Sequence, residues 1–135
     1  NIYEGTTQLQ IVAAIAGVKK RTLAPKMDEL CALPYEGEAR NLCKAVCELR
    51  PKVDEAIAIM DAHHDDNRFF DQMAYSVVRM ETILFIELLL LRDSMNDSSR
   101  IKLAREFAAE YLPEFTMHYT TVKNQILPDP EILTM

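Results

Sequence analysis

At 135 residues and 49% hydrophobic content, the chain is long enough for one compact domain with a core of its own. Only three glycines, set against recurrent Ala, Leu, Glu, Met and Lys, leave few of the turn residues that hairpins need and predict an almost all-α protein. A net charge of −6, with Lys and Arg scattered in ones and twos, excludes a continuous basic surface for nucleic acid or anionic lipid.

In chain order, Thr6 or Thr7 can cap a first helix that carries Leu9, Val12, Ala13 and Ala16 and stops near Gly17. Residues 18–37 hold Lys19, Lys20 and Arg21, then Pro25 and a short apolar cluster at Met27, Leu30, Cys31 and Leu33. They read as a linker with one short helix, and a domain boundary is expected there. From Glu38 to about His63, apolar residues fall at Ala39, Leu42, Val46, Leu49, Val53, Ala56 and Met60, three and four apart as a helix face requires. The pattern keeps its phase across Pro51, so one kinked helix is expected and not two.

The segment from Asp66 to Arg92 aligns Phe69, Met73, Val77, Met80, Leu84, Leu88 and Leu91 on one stripe and would extend about 40 Å. Its second half is apolar nearly all round, which places it centrally in a bundle or under another domain. The run from Ile83 to Leu91 is interrupted by Glu87 and falls short of the ~20 residues that span a bilayer, so it reads as core. A polar turn from Ser94 to Ser99, capped by Asp97 or Ser98, leads to a last helix with Ala104, Ala108, Tyr111, Phe115, Tyr119, Val122 and Ile126, bent at Pro113. Leu127-Pro128-Asp129-Pro130 cannot continue a helix, so a short extended end is expected. The expected architecture is an up-and-down bundle of about four main helices, one or two of them kinked at proline, with residues 38–135 as the bundle domain.

Few of the chemistry-bearing side chains form a convincing site by spacing. Cys43 and Cys47 lie four apart on an apolar stripe, and no matching His or Cys pair follows them, so reduced core thiols in an intracellular protein are expected, with no metal site. Adjacent residues in His63-His64-Asp65-Asp66 would point about 100° apart on a helix, which favours a helix-ending turn over a shared ion. Glu114 and His118 have the spacing of an ordinary exposed pair, and Glu87 calls for a buried ion pair with Arg79, Arg92 or another domain, or for an outward position. The aromatic residues fall mostly at helix-face spacing and read as core, and no Gly-rich phosphate loop or Gly-x-Ser-x-Gly elbow is present.

The first ten residues, Asn1-Ile2-Tyr3-Glu4-Gly5-Thr6-Thr7-Gln8-Leu9-Gln10, are the most informative. They resemble the acyl-CoA dehydrogenase signature I-Y-E-G-T, then Ser, Thr or Asn, then Q-I-Q, departing from it at Leu9 and, just beyond, at Ile11. The resemblance covers residues 1–17, read as the end of that family's catalytic domain. It implies that Glu4 removes the α-proton of an acyl-CoA thioester while a hydride leaves the β-carbon for FAD, yielding a trans-2-enoyl-CoA. A carboxylate buried against an acyl chain and a flavin ring gains affinity for a proton, which suits that role.

The resemblance further implies a main-chain contact from Gly5 to the substrate, where a larger residue would hold the thioester off. It implies contacts from Thr6, Thr7 and Gln8 to FAD at a helix start whose N–H groups are free, although the threonines would cap that helix without a cofactor. The expected partners are acyl-CoA, electron transfer flavoprotein and the rest of a parent enzyme that is a homo-oligomer, with a cytoplasmic location. The opening at Asn1 reads as a fragment or a processed product, inactive alone because the flavin pocket is built elsewhere. The other function expected from the sequence is a helical module that supports subunit or domain contacts or covers an active-site entrance.

Overall fold

A computed structural model describes residues 22–63 and 65–124; the segment that carries Glu4, Gly5, Thr6, Thr7 and Gln8 lies outside the described residues, as does the tail from residue 125. Among the described residues there are four α-helices, a single 3₁₀ turn and no strand: α1 (Ala24–Cys31), α2 (Gly37–Ala62), α3 (Asn67–Asn96), the turn Ser98–Arg100, and α4 (Ile101–Lys123). The all-α bundle expected from composition and helix phase is what forms.

Local chemistry sets the breaks between helices. Pro25 sits in the first turn of α1, where its missing amide hydrogen has no helical partner to lose. Gly37 opens α2 at φ 57°, a left-handed conformation that a side chain would strain. Asp66 caps α3 by accepting from the Phe69 amide at 3.1 Å. Asp97 accepts from the Ser99 amide at 3.1 Å and from its hydroxyl at 2.6 Å, which organises the 3₁₀ turn ahead of α4. The turn is shorter than the sequence pattern suggests. Ser94 donates to the Leu91 carbonyl at 2.6 Å and stays helical, so α3 runs through Asn96.

Both internal prolines are carried inside continuous helices, Pro51 in α2 and Pro113 in α4. Each removes the donor that would bond the carbonyl four residues earlier, at Cys47 and Ala109 respectively.

Side-chain links fix the helix directions. Arg105 meets Glu38 near the starts of α4 and α2, while Tyr119 donates to Glu55 at 2.7 Å towards their ends, so these two helices run the same way. Ser76 faces His118 and Arg79 faces Glu114, so α3 runs against α4. Four-residue connections at each end of α3 fit this up-down-up arrangement. The core lies along α3, whose Met73, Val77, Met80, Ile83, Leu84, Leu88 and Leu91 are buried against Val46, Val53, Ala56 and Met60 of α2 and Ala104, Phe115 and Val122 of α4. The central place expected for this helix follows from its apolar breadth. Met27 and Leu30 seat α1 on the same core, and Arg50 of α2 holds Asp28 of α1 at 2.7 Å.

Among the described residues, no helix is long and apolar enough to cross a membrane.

Candidate functional site

The bundle brings together three groups of chemistry-bearing side chains. The first lies where α1 crosses α2. Cys31 ends α1, while Cys43 and Cys47 stand one turn apart on α2, and the short α1–α2 connection turns the Cys31 side chain onto theirs. All three sulfurs lie within 4.8 Å of one another, with Cys47 Sγ 2.6 Å from Cys31 Sγ and 3.9 Å from Cys43 Sγ. The Cys43 thiol also donates to the Cys31 carbonyl at 3.8 Å.

Arg50 Nη1 approaches Cys31 Sγ at 3.8 Å, while its Nη2 is held by Asp28. Burial pushes the Cys31 thiol up to about 11, with its hydrogen bond to Cys47 adding to the rise, and burial also raises Cys43 and Cys47. All three are free thiols. They floor an open cleft of about 930 Å³ whose walls include Tyr35, Arg40 and Lys44. Helix phase made Cys43 and Cys47 legible as a pair. Cys31 was readable only as part of a short apolar cluster, because its approach depends on a tertiary crossing.

The second group joins α3 and α4. Arg79 donates to Glu114 through Nε and Nη2, and His118 Nε2 lies 3.3 Å from the same carboxylate oxygen. His118 Nδ1 faces Ser76 Oγ at 3.0 Å. The network fits a neutral imidazole that accepts from the serine hydroxyl at Nδ1 and donates to Glu114 at Nε2. This corrects the sequence reading of Glu114 and His118 as an exposed pair: His118 is 6% exposed, because α3 packs over the face that carries it. Burial lowers the His118 pKa, and the neighbouring Glu114 only partly offsets that effect. Burial tends to raise Glu114, but the Arg79 hydrogen bond and charge, followed by His118, carry it below the usual carboxylate value.

The third is Glu87, which is 0% exposed, with neither carboxylate oxygen hydrogen-bonded among the described residues. The partners expected from sequence are engaged elsewhere, Arg79 with Glu114 and Arg92 with Asp93, and the outward position is not adopted. Desolvation raises the Glu87 carboxyl to about 7.

Helix α2 ends at Ala62, ahead of the polar turn. Asp66 serves as a cap, and the His63 ring rests against Phe69 at 4.2 Å between centroids; His64 lies outside the described residues.

Glu4, Gly5, Thr6, Thr7 and Gln8, the residues singled out by the signature, also lie outside the described residues. No family model, no curated protein and no solved structure matches the chain.

Proposed function

We propose that the chain is the C-terminal segment of an FAD-dependent acyl-CoA dehydrogenase, of the larger type that carries an added helical domain. The observation that carries this reading is the run Asn1 to Gln10, whose resemblance to the family signature is dense and nearly gapless. On this reading the parent enzyme oxidises an acyl-CoA thioester to a trans-2-enoyl-CoA, with Glu4 as the base that takes the α-proton. Gly5 touches substrate through its main chain, and Thr6, Thr7 and Gln8 contribute to the flavin shell. FAD, when bound in the parent, accepts the β-hydride and passes electrons to electron transfer flavoprotein in the cytoplasm. The all-helical body within residues 38–124 is consistent with an added domain.

The test is the visible spectrum of the parent polypeptide and of this 135-residue chain, each titrated with acyl-CoA. A yellow parent that bleaches with substrate, loses turnover in Glu4→Gln, and contrasts with a colourless helical fragment supports the proposal. A parent that binds no flavin overturns it.

A second reading, of a non-catalytic module for oligomerisation or for covering another domain, is favoured by one observation. Tyr75, Leu103 and Met117 are each at least half exposed, and Met95 is 43% exposed, leaving large apolar side chains on the outside of α3 and α4. Self-association of the isolated chain that falls when Tyr75 and Met117 are changed to Ser would support this reading. A strictly monomeric chain would count against the oligomerisation form of it.

A further inference from the structure

We propose that Cys31, Cys43 and Cys47 form a three-thiolate site for a soft metal ion, zinc(II) in the first instance, with its fourth coordination position open to the cleft. The inference is independent of the dehydrogenase reading and rests on the crossing of α1 over α2.

Geometry comes first. Sulfurs around a tetrahedral zinc ion at about 2.3 Å stand roughly 3.8 Å from one another. Cys43 and Cys47 already stand 3.9 Å apart, and the whole trio fits within 4.8 Å. The Cys31–Cys47 separation of 2.6 Å must widen and the Cys31–Cys43 separation, within 4.8 Å, must close, each by roughly an ångström on the reference spacing, and rotation of the Cys31 side chain at the end of α1 away from Cys47 and towards Cys43 can supply both movements. The three ligands come from one helix end and two successive turns of a second helix, all on ordered backbone.

Charge agrees with this ligand set. Zinc(II) with three thiolates carries a net charge of −1, and the Arg50 guanidinium is already 3.8 Å from Cys31 Sγ. Asp28 holds that guanidinium in place, while Arg40 and Lys44 lie on the cleft wall. A bound metal ion would ionise the thiols, and the negative charge of the complex would face this cationic rim. The open cleft leaves room for water or a small ligand at the fourth position, as in zinc sites with three protein ligands.

A disulfide between Cys31 and Cys47 is the competing use of the same sulfurs. It would employ two of the three and leave Cys43 without a role. The binding step balances as Zn²⁺ plus three thiols giving the tris-thiolate complex and three protons.

The experiment titrates the full 135-residue chain, reduced and kept anaerobic, with Co²⁺ and then Zn²⁺. The expected result is a thiolate-to-cobalt charge-transfer band with tetrahedral d–d bands, saturating at one equivalent and removed by zinc. About three protons should be released per ion near neutral pH. Cys31→Ser, Cys43→Ser and Cys47→Ser should each weaken binding by more than the roughly tenfold to hundredfold that loss of a supporting partner costs.

A reduced chain without the band overturns the proposal. So does a band unchanged by Cys43→Ser in a variant with wild-type helicity by circular dichroism, or a chain that takes up no metal yet forms the Cys31–Cys47 disulfide with oxidised glutathione. If the serine variants fail to fold, the wild-type proton count decides: about three protons support the site, and one or none overturns it.

Discussion

Arg79 and Glu114 lie 35 residues apart, and two hydrogens of one guanidinium converge on a single carboxylate oxygen, from Nε at 2.9 Å and from Nη2 at 2.7 Å. Both side chains are about one-third exposed, so the pair is partly shielded from solvent but not removed from it. A double-mutant cycle with Arg79→Met and Glu114→Gln should give a coupling of about 1 kcal/mol by urea unfolding, at the upper end for surface pairs because the contact is charge-assisted and two-pronged. Coupling between Glu38 and Arg105 should be smaller, since that pair is more exposed. Equal coupling for the two pairs would show that burial at the α3–α4 seam adds nothing.

Glu87 should make the protein less stable as pH rises from about 4.5 to about 7. Below that interval both folded and unfolded chains hold the proton; within it the unfolded chain releases a proton that the folded chain keeps, and above it the loss levels off. The full effect is on the order of 3 kcal/mol. Glu87→Leu should therefore raise the urea midpoint at pH 8 and flatten this part of the profile, with Glu87→Gln falling between, because the amide is still unpaired. A wild-type midpoint at pH 8 above that of Glu87→Leu would mean that the carboxylate has found a cation.

His118 acts in the opposite direction. Its folded pKa lies below 6.5, so stability is full above that value and declines as pH falls towards the folded pKa, where the unfolded chain takes up a proton that the buried ring resists. Between the folded pKa of His118 and 6.5 the two groups act in opposite senses, and the wild-type profile should be shallower there than with either group alone. In a Glu87→Leu background the acid-side loss from His118 should stand alone, and adding His118→Gln should remove it. A profile unchanged by that second substitution would assign the acid response to other groups.

Pro51→Ala should stabilise α2 by about 1 kcal/mol: an amide hydrogen becomes available to the Cys47 carbonyl, partly offset by the greater freedom of the unfolded chain. Thermal unfolding measures it. Because the restored bond closes the turn that carries Cys47, the variant should also show slower amide exchange across residues 47–51. Destabilisation would mean that the rigidity proline gives the unfolded chain outweighs the restored hydrogen bond.

Helix positions were legible wherever the apolar phase was long. The reading of one helix through Pro51 rested on Val46, Val53, Ala56 and Met60 keeping register, and all four are buried on one side of α2. Ends were less legible because Ser, Asn and Asp serve both turns and last helical turns: Ser94 looked like the start of a loop and instead folds its hydroxyl back onto Leu91. What sequence could not supply were meetings between helices. The approach of Cys31 to Cys47, the cover that α3 places over His118 and the isolation of Glu87 all depend on crossings that no local pattern encodes. The signature at residues 1–10 is the reverse case, a local pattern with a strong chemical implication that lies outside the described residues.

The four-residue connections at both ends of α3 also bear on how the chain folds. Each long helix packs against the helix next to it in sequence, so the loops that must close before α2 meets α3, and α3 meets α4, are short and carry little entropic cost. Low contact order of this kind belongs to helical bundles that fold in microseconds to milliseconds. The central helix, apolar nearly all round in its second half, is then exposed only briefly before both neighbours cover it, which shortens the interval in which two unfolded copies could associate through it.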